Sequence, residues 1–128
     1  MAGLVFSALD NLRIRRKILV RPSVKPVSVL IVDDHEVVRV GLQTVLGRLD
    51  SISVVGEAST VADAVIESCR LKPDVVLMDV RFPDGSGVDA CRAIRDSCPD
   101  TRVLFLTSYQ DDEGVLAAVV GGASGYLL

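Results

Sequence analysis

Aromatic residues are scarce in this sequence, 4% of the chain with no tryptophan. Its 49% hydrophobic content therefore rests on Val, Leu, Ile and Ala, the composition of buried parallel strands flanked by helices. The three cysteines, Cys69, Cys91 and Cys98, are odd in number and form no CxxC pair, which supports neither a closed disulfide framework nor a zinc site. Cys91 and Cys98 fall on one expected helix, about 10 Å apart along its axis and too distant for a disulfide. Packing or simple exposure in a reducing cytoplasm is expected for these thiols. No uncharged apolar run reaches the ~18 residues that suggest a transmembrane helix. A Gly-rich phosphate loop, GxSxG and HExxH are all missing, as are internal repeats and low-complexity tracts.

What is present is a chain of 128 residues and 13.7 kDa, suited to one domain with one core. A mean hydropathy of +0.42 excludes a disordered chain. The net charge of −3 conceals a division: residues 1–27 carry six Lys/Arg and one Asp, a balance of +5, and residues 28–128 carry eight against sixteen acids, a balance of −8. The acidic part is unsuited to nucleic acid, whose phosphates require a positive surface. Residues 1–27 read as a basic N-terminal extension, in which Leu4-Val5-Phe6 precedes Arg13, Arg15, Arg16 and Lys17. A secretory signal places its charges before the apolar segment, so a cytoplasmic location without a membrane anchor is expected. The extension reads either as a loose tail or as a short amphipathic helix docking on the domain or on an acidic partner.

From Val27 onward short β-branched runs alternate with segments of helical length. Val27–Val32 reads as a first strand, and Asp34 as the cap of a helix to about Arg48 whose Val38, Leu42, Val45 and Leu49 share one face. Ile52–Ala58 is a second strand. Ser59 then caps a helix to about Arg70 with Val61, Ala64, Val65 and Cys69 inward, and Lys72-Pro73 ends it. Asp74–Asp79 is a third strand, Pro83-Asp84-Gly85 a turn, and Gly87–Ser97 a helix. A fourth strand follows at Arg102–Thr107, a helix at Asp111–Val120 and a fifth strand from Gly125. Right-handed crossovers make these strands parallel, with helices on both faces.

Open parallel sheets collect functional groups at the carboxyl ends of their strands. Asp33 and Asp34 follow the first strand, Asp79 the third and Thr107 the fourth. Three converging carboxylates repel one another and raise each other's pKa unless a cation joins them. Mg²⁺ fits that need, since it takes oxygen ligands and leaves positions for phosphate oxygens. The arrangement suits phosphoryl transfer, with Asp79 as the nucleophile and the Thr107 hydroxyl bonded to a phosphoryl oxygen. His35, the sole histidine, reads as a solvent-facing residue of the first helical turn.

The runs Val29-Leu30-Ile31-Val32-Asp33-Asp34-His35, Asp74-Val75-Val76-Leu77-Met78-Asp79 with Pro83-Asp84-Gly85, Leu106-Thr107-Ser108 and Gly122-Ala123-Ser124-Gly125-Tyr126-Leu127-Leu128 resemble the receiver domain of a two-component response regulator. Within that family the chain is similar to the NarL/LuxR subfamily, in particular to DevR-like dormancy regulators. The resemblance covers residues 28–128 as a receiver domain and implies a flavodoxin-like doubly wound sheet of order 2-1-3-4-5. It also implies a histidine kinase that phosphorylates Asp79, and Mg²⁺ held by Asp33, Asp34, Asp79 and the backbone carbonyl of Arg81. Thr107 and Tyr126 match the family's switch pair, and homodimerisation on phosphorylation is implied in turn.

The family places a Lys directly after the GYLL motif, then a last helix and, in this subfamily, a DNA-binding helix-turn-helix. The sequence ends at Leu128, so a receiver truncated before its last helix is expected, with weakened activation and residues 4–20 as a helix over the open sheet face. Transcription control would then run through a DNA-binding domain absent here. A phosphorylation-controlled switch without independent enzymatic turnover is the expected function. The alternatives are a phosphorylation-independent interaction module and a Mg²⁺-dependent hydrolase, the latter disfavoured because Arg81 stands where a second acid/base Asp is needed.

Overall fold

Strands buried on both faces need a layer on each side of the sheet, and the apolar run Val27–Val32 states that requirement first. The computed structural model describes residues 25–106 and the backbone of Gly125–Leu127. Its elements are β1 (Val27–Val32), α1 (Glu36–Leu46), β2 (Ile52–Ala58), α2 (Val61–Leu71), β3 (Val75–Asp79), β4 (Arg81–Phe82), β5 (Gly85–Ser86), α3 (Gly87–Ser97), β6 (Arg102–Leu106) and β7 (Gly125–Leu127). The main sheet is parallel in the order β2-β1-β3-β6-β7. Setting aside the short β4–β5 hairpin, this is the 2-1-3-4-5 order that the family resemblance implies.

Alternation along each strand divides the core in two. Val29 and Ile31 of β1 join Val75, Leu77 and Leu104 beneath Leu42 and Leu46 of α1. Leu30 and Val32 join Val76, Met78, Val103 and Phe105 against Ala64 of α2 and Val88, Cys91 and Ile94 of α3. Each such fully buried aliphatic side chain contributes about 1.5–3 kcal/mol of transfer free energy, opposed by ordering entropy. At the amino-terminal edge Asp74 precedes β3 rather than opening it. Its carboxylate accepts from the Ser28 N–H at 3.0 Å, and its own N–H donates to Ser28 Oγ at 2.8 Å.

Local details depart from the sequence-based reading. The cap residue of α1 is His35 and not Asp34, because Asp33 Oδ1 accepts the His35 N–H at 2.8 Å and turns the chain one residue later. Thr60, not Ser59, caps α2, accepting from the Asp63 N–H at 3.1 Å. Within α2 Ala64 is buried and Val61 and Val65 pack against the core as expected, but Ser68 is buried as well and Cys69 is exposed. The Pro83-Asp84 turn joins two antiparallel strands, β4 and β5, with Gly85 at φ +153. Asp84 reaches across this hairpin to α2, accepting the Val61 N–H at 3.0 Å and the Ala62 N–H at 3.3 Å. The first three N–H groups of α2 are thus satisfied by Thr60 and by a carboxylate more than twenty residues downstream. The helix expected at 111–120, the docking helix at 4–20 and the extension up to residue 24 lie outside the described residues.

Gly87, the first residue of α3, fits directly against β3: its N–H donates to the Val80 carbonyl at 2.6 Å, and a Cβ there would collide with the Asp79 carbonyl oxygen. Gly41, exposed in mid α1, has nothing within 4 Å of an added Cβ. Gly87→Ala is expected to destabilise by about 1–3 kcal/mol through overpacking, and Gly41→Ala to stabilise by about 0.5–1 kcal/mol through helix propensity. Urea denaturation of the two variants measures both.

Hydrogen bonds from Val61 and then Ala62 hold the Asp84 carboxyl below the ordinary 3.8. A depressed folded pKa contributes stability that is present above the unfolded value and lost as pH falls through the folded one. Asp84→Ala therefore lowers Tm at pH 7, and its difference from wild type shrinks in thermal melts taken below the ordinary Asp range.

Candidate functional site

β1 and β3 are adjacent and parallel with Val32 opposite Met78, so Asp33 and Asp79 emerge at the same edge of the sheet. Asp33 is buried and held on several sides. Its N–H donates to the Ala58 carbonyl at 3.1 Å, its Oδ1 accepts the His35 N–H, and its carbonyl accepts from Arg39 Nη1 at 2.7 Å. Arg39 in turn reaches Glu57 Oε1 at 3.2 Å, beside Gln43 Nε2, which donates to Glu57 Oε2 at 2.6 Å. These contacts brace α1 and β2 around the end of β1. Asp79 Oδ1 accepts the Val80 N–H at 2.7 Å, and the Arg81 N–H also donates to its carboxyl.

Asp34 is held differently. Its Oδ1 is buried and accepts no hydrogen bond, and His35 Nδ1 stands 3.1 Å away as a charge contact. The same ring nitrogen lies 2.9 Å from Asp33 Oδ1. Asp33, Asp34, His35 and Asp79 each offer a ligand atom, and all these atoms lie within 4.8 Å of one another.

Burial pushes the Asp79 carboxyl above the ordinary 3.8, opposed by the Val80 N–H and reinforced by the charges of Asp33 and Asp34. The hydrogen bond to Asp33, and then the charge of Asp34, push the His35 imidazole above 6.5. Three acids and one imidazole leave an excess of negative charge, and the orphaned Asp34 oxygen points to a missing partner. Carboxylate oxygens in this number fit a hard divalent cation, Mg²⁺ above all.

The structure thus brings together Asp33, Asp34 and Asp79, the acids singled out in the sequence. Arg81 is exposed and opens β4 just beyond Val80. Thr107 lies outside the described residues, and Tyr126 is described only as backbone, paired with Phe105 in β7. His35 is exposed as the sequence reading had it, with a side chain 65% exposed, but it is the cap residue before α1 instead of a first-turn residue, and Nδ1 meets the two acids. The Asp-Asp-His adjacency was the available signal. Arg39 of α1 was missed because its partners, the Asp33 carbonyl and Glu57 of β2, lie on other segments and meet it only in the fold.

A carboxyl whose folded pKa is raised contributes stability that is present below its unfolded value and lost as pH rises through the folded one. Without divalent cations, Asp79→Asn is therefore expected to raise Tm at pH 7, with a gain that vanishes toward and below pH 3.8. Thermal melts in chelator across that range check the sign.

The family model for the response regulator receiver domain matches residues 29–128. The transcriptional activator DevR/DosR of Mycobacterium tuberculosis is 50% identical over 102 residues, which cover 80% of this chain and 47% of that protein. The response regulator VraR of Staphylococcus saprophyticus is 41% identical over 103 residues, covering 80% of this chain and 49% of that one. The chain spans about half the length of these curated relatives. Among solved structures, the receiver domain of NarL from Mycobacterium tuberculosis superposes with a TM-score of 0.75 at 34% identity, covering 80% of this chain and 83% of that one. The response regulator domain of Thermotoga maritima CheB gives 0.74 at 30% identity, covering 80% and 77%. The parallel sheet, the acids at its carboxyl edge and these similarities agree that the chain belongs to the response regulator receiver family, with NarL/LuxR-type regulators as its relatives.

Proposed function

We propose that this domain is a phosphoacceptor switch in which Asp79 takes a phosphoryl group from a histidine kinase and Asp33, Asp34, Asp79 and the Arg81 carbonyl hold Mg²⁺. The observation that carries this reading is the convergence of the three carboxylates, with a buried Asp34 oxygen that accepts no hydrogen bond. A bound Mg²⁺ would offset the negative charge of the acids and of an incoming phosphoryl group.

The chain's own residues supply the rest. Asp79 is the nucleophile: a carboxylate oxygen forms the new bond to phosphorus while the bond to the donor nitrogen or oxygen breaks, its electron pair leaving with the donor. Backbone N–H groups of Val80 and Arg81 fix the carboxylate's orientation. Asp33, pinned between β2 and α1, keeps its position as charge enters the site. Thr107 is the hydroxyl that bonds the phosphoryl group, and Tyr126 is its partner in the switch. Residues 28–128 are the receiver unit and residues 1–27 a basic extension outside it.

The output belongs to the longer proteins that carry such domains. Phosphorylation promotes homodimer contacts, and transcription is controlled through a separate DNA-binding domain, the acidic receiver itself making no contact with nucleic acid. This chemistry is regulatory, without independent turnover, and is set in the cytoplasm. Among the described residues no helix is long and apolar enough to cross a membrane.

Incubation with acetyl phosphate and Mg²⁺ is expected to add one phosphate to the intact mass of wild type and none to Asp79→Asn. No gain in either protein would favour phosphate-independent association, and sustained consumption of the donor would favour a hydrolase. Asp33→Asn and Asp34→Asn are each expected to weaken Mg²⁺ binding in calorimetry about 10-fold or more, since even outer-shell partners contribute 10–100-fold.

A further inference from the structure

The carboxyl-terminal ends of α2 and α3 bring two thiols together on the side of the molecule that the phosphoryl chemistry does not use. Cys69 sits in the last turn of α2 and is exposed; Cys98 follows α3 as its cap residue and is partly buried. Their sulfurs are 3.9 Å apart although the residues are separated by 29 positions. Two packed helices deliver them, since Val61, Val65 and Leu71 of α2 and Cys98 all pack against the core cluster that contains Ala90, Cys91 and Ile94 of α3. Cys98 Sγ also lies 3.7 Å from the Ser68 carbonyl, which holds its thiol on the α2 side.

We propose that Cys69 and Cys98 form a reversible intramolecular disulfide, an oxidisable clasp between α2 and α3. The sulfurs must close from 3.9 Å to about 2.05 Å, and one of the two positions is exposed and the other only partly buried. Cys69, the accessible thiol, is the attacking group, and Cys98 is the resolving one. A low-molecular-weight disulfide such as glutathione disulfide is the oxidant. The Cys69 thiolate attacks one of its sulfurs, forming a mixed disulfide and expelling one small thiolate. The Cys98 thiolate then attacks the Cys69 sulfur and expels the second. Two protein thiols lose two electrons in total, the small disulfide gains them, and the two thiol protons end on the two released small thiols.

The local electrostatics agree with this division of labour. Burial pushes the Cys98 thiol up, the adjacent Cys69 pushes it further, and the charge of Lys72 acts in the opposite direction. A thiol of that kind is a poor first nucleophile and a competent second one once the neighbouring sulfur is activated. Cys91 is buried within α3, and burial raises its thiol as well, so it is an internal control that stays reduced. The clasp closes a loop through the chain and restricts the unfolded state, which raises the stability of the oxidised form.

The proposal stands on the thiol geometry and is independent of the reading of the acidic site. The full chain is equilibrated with glutathione disulfide, quenched by acid and examined by intact mass and by alkylation under denaturing conditions. The expected product has lost the mass of two hydrogen atoms, retains one alkylatable cysteine, yields a linked peptide pair containing Cys69 and Cys98, and melts at a higher temperature until reductant restores the original Tm. Cys91→Ala is expected to form the same link, and Cys69→Ser and Cys98→Ser to form none. A product that stops with glutathione on Cys69 and Cys98 still alkylatable would overturn the proposal, as would a link between two chains or no reaction at all.

Discussion

Mutual repulsion among Asp33, Asp34 and Asp79 is the constraint on which the functional edge depends. Like charges gathered within a few ångströms separate unless something stiffer holds them, and here the stiffness comes from two parallel strands. β1 and β3 are buried between two cores, so neither end can retreat without exposing apolar surface. Burial first, and then the charges of Asp33 and Asp34, raise the Asp79 carboxyl, and the Asp34 oxygen without a hydrogen bond lies at the same rim, which the hydrophobic core keeps in place. His35, when protonated, provides a local counter-charge, and a divalent cation would provide a stronger one.

The layer of α2 and α3 performs a second task beyond burial. Gly87 lets the start of α3 touch the backbone of Asp79, and Asp84 ties the β4–β5 hairpin to the start of α2. The segment after β3, which carries Arg81, is thereby fixed to two helices at once. The acid-bearing edge is rigid on the α1 side through Arg39 and Glu57, and on the α2 side through Asp84. At the opposite ends of α2 and α3, Cys69 and Cys98 face one another. The same helix pair therefore links a positioning contact near the acids to a thiol pair far from them.

Much of the site was legible because it is written in local pattern. A continuous apolar run followed at once by acids identifies both the strands and what leaves them, and a parallel sheet obliges those exits to share an edge. Helix caps were less legible. Asp33, Asp34, Ser59 and Thr60 are all competent caps, and the choice between neighbours depends on hydrogen bonds that close only when the strand ends have their final places. Cys69 was assigned inward from its spacing, but packing against α3 turned Ser68 inward instead.

The sequence by itself determined the α/β class, the approximate places of the described strands and which acids follow them, since side-chain period and turn residues are properties of short segments, while the strand order came from the family resemblance. Only the tertiary structure decided that His35 turns its ring nitrogen onto Asp33 and Asp34, that Asp84 caps a helix preceding it in the chain, and that Cys69 meets Cys98. The physical reason is the same in each case. These contacts join groups whose positions or orientations are set by how elements pack, and such geometry has no periodic trace along the chain.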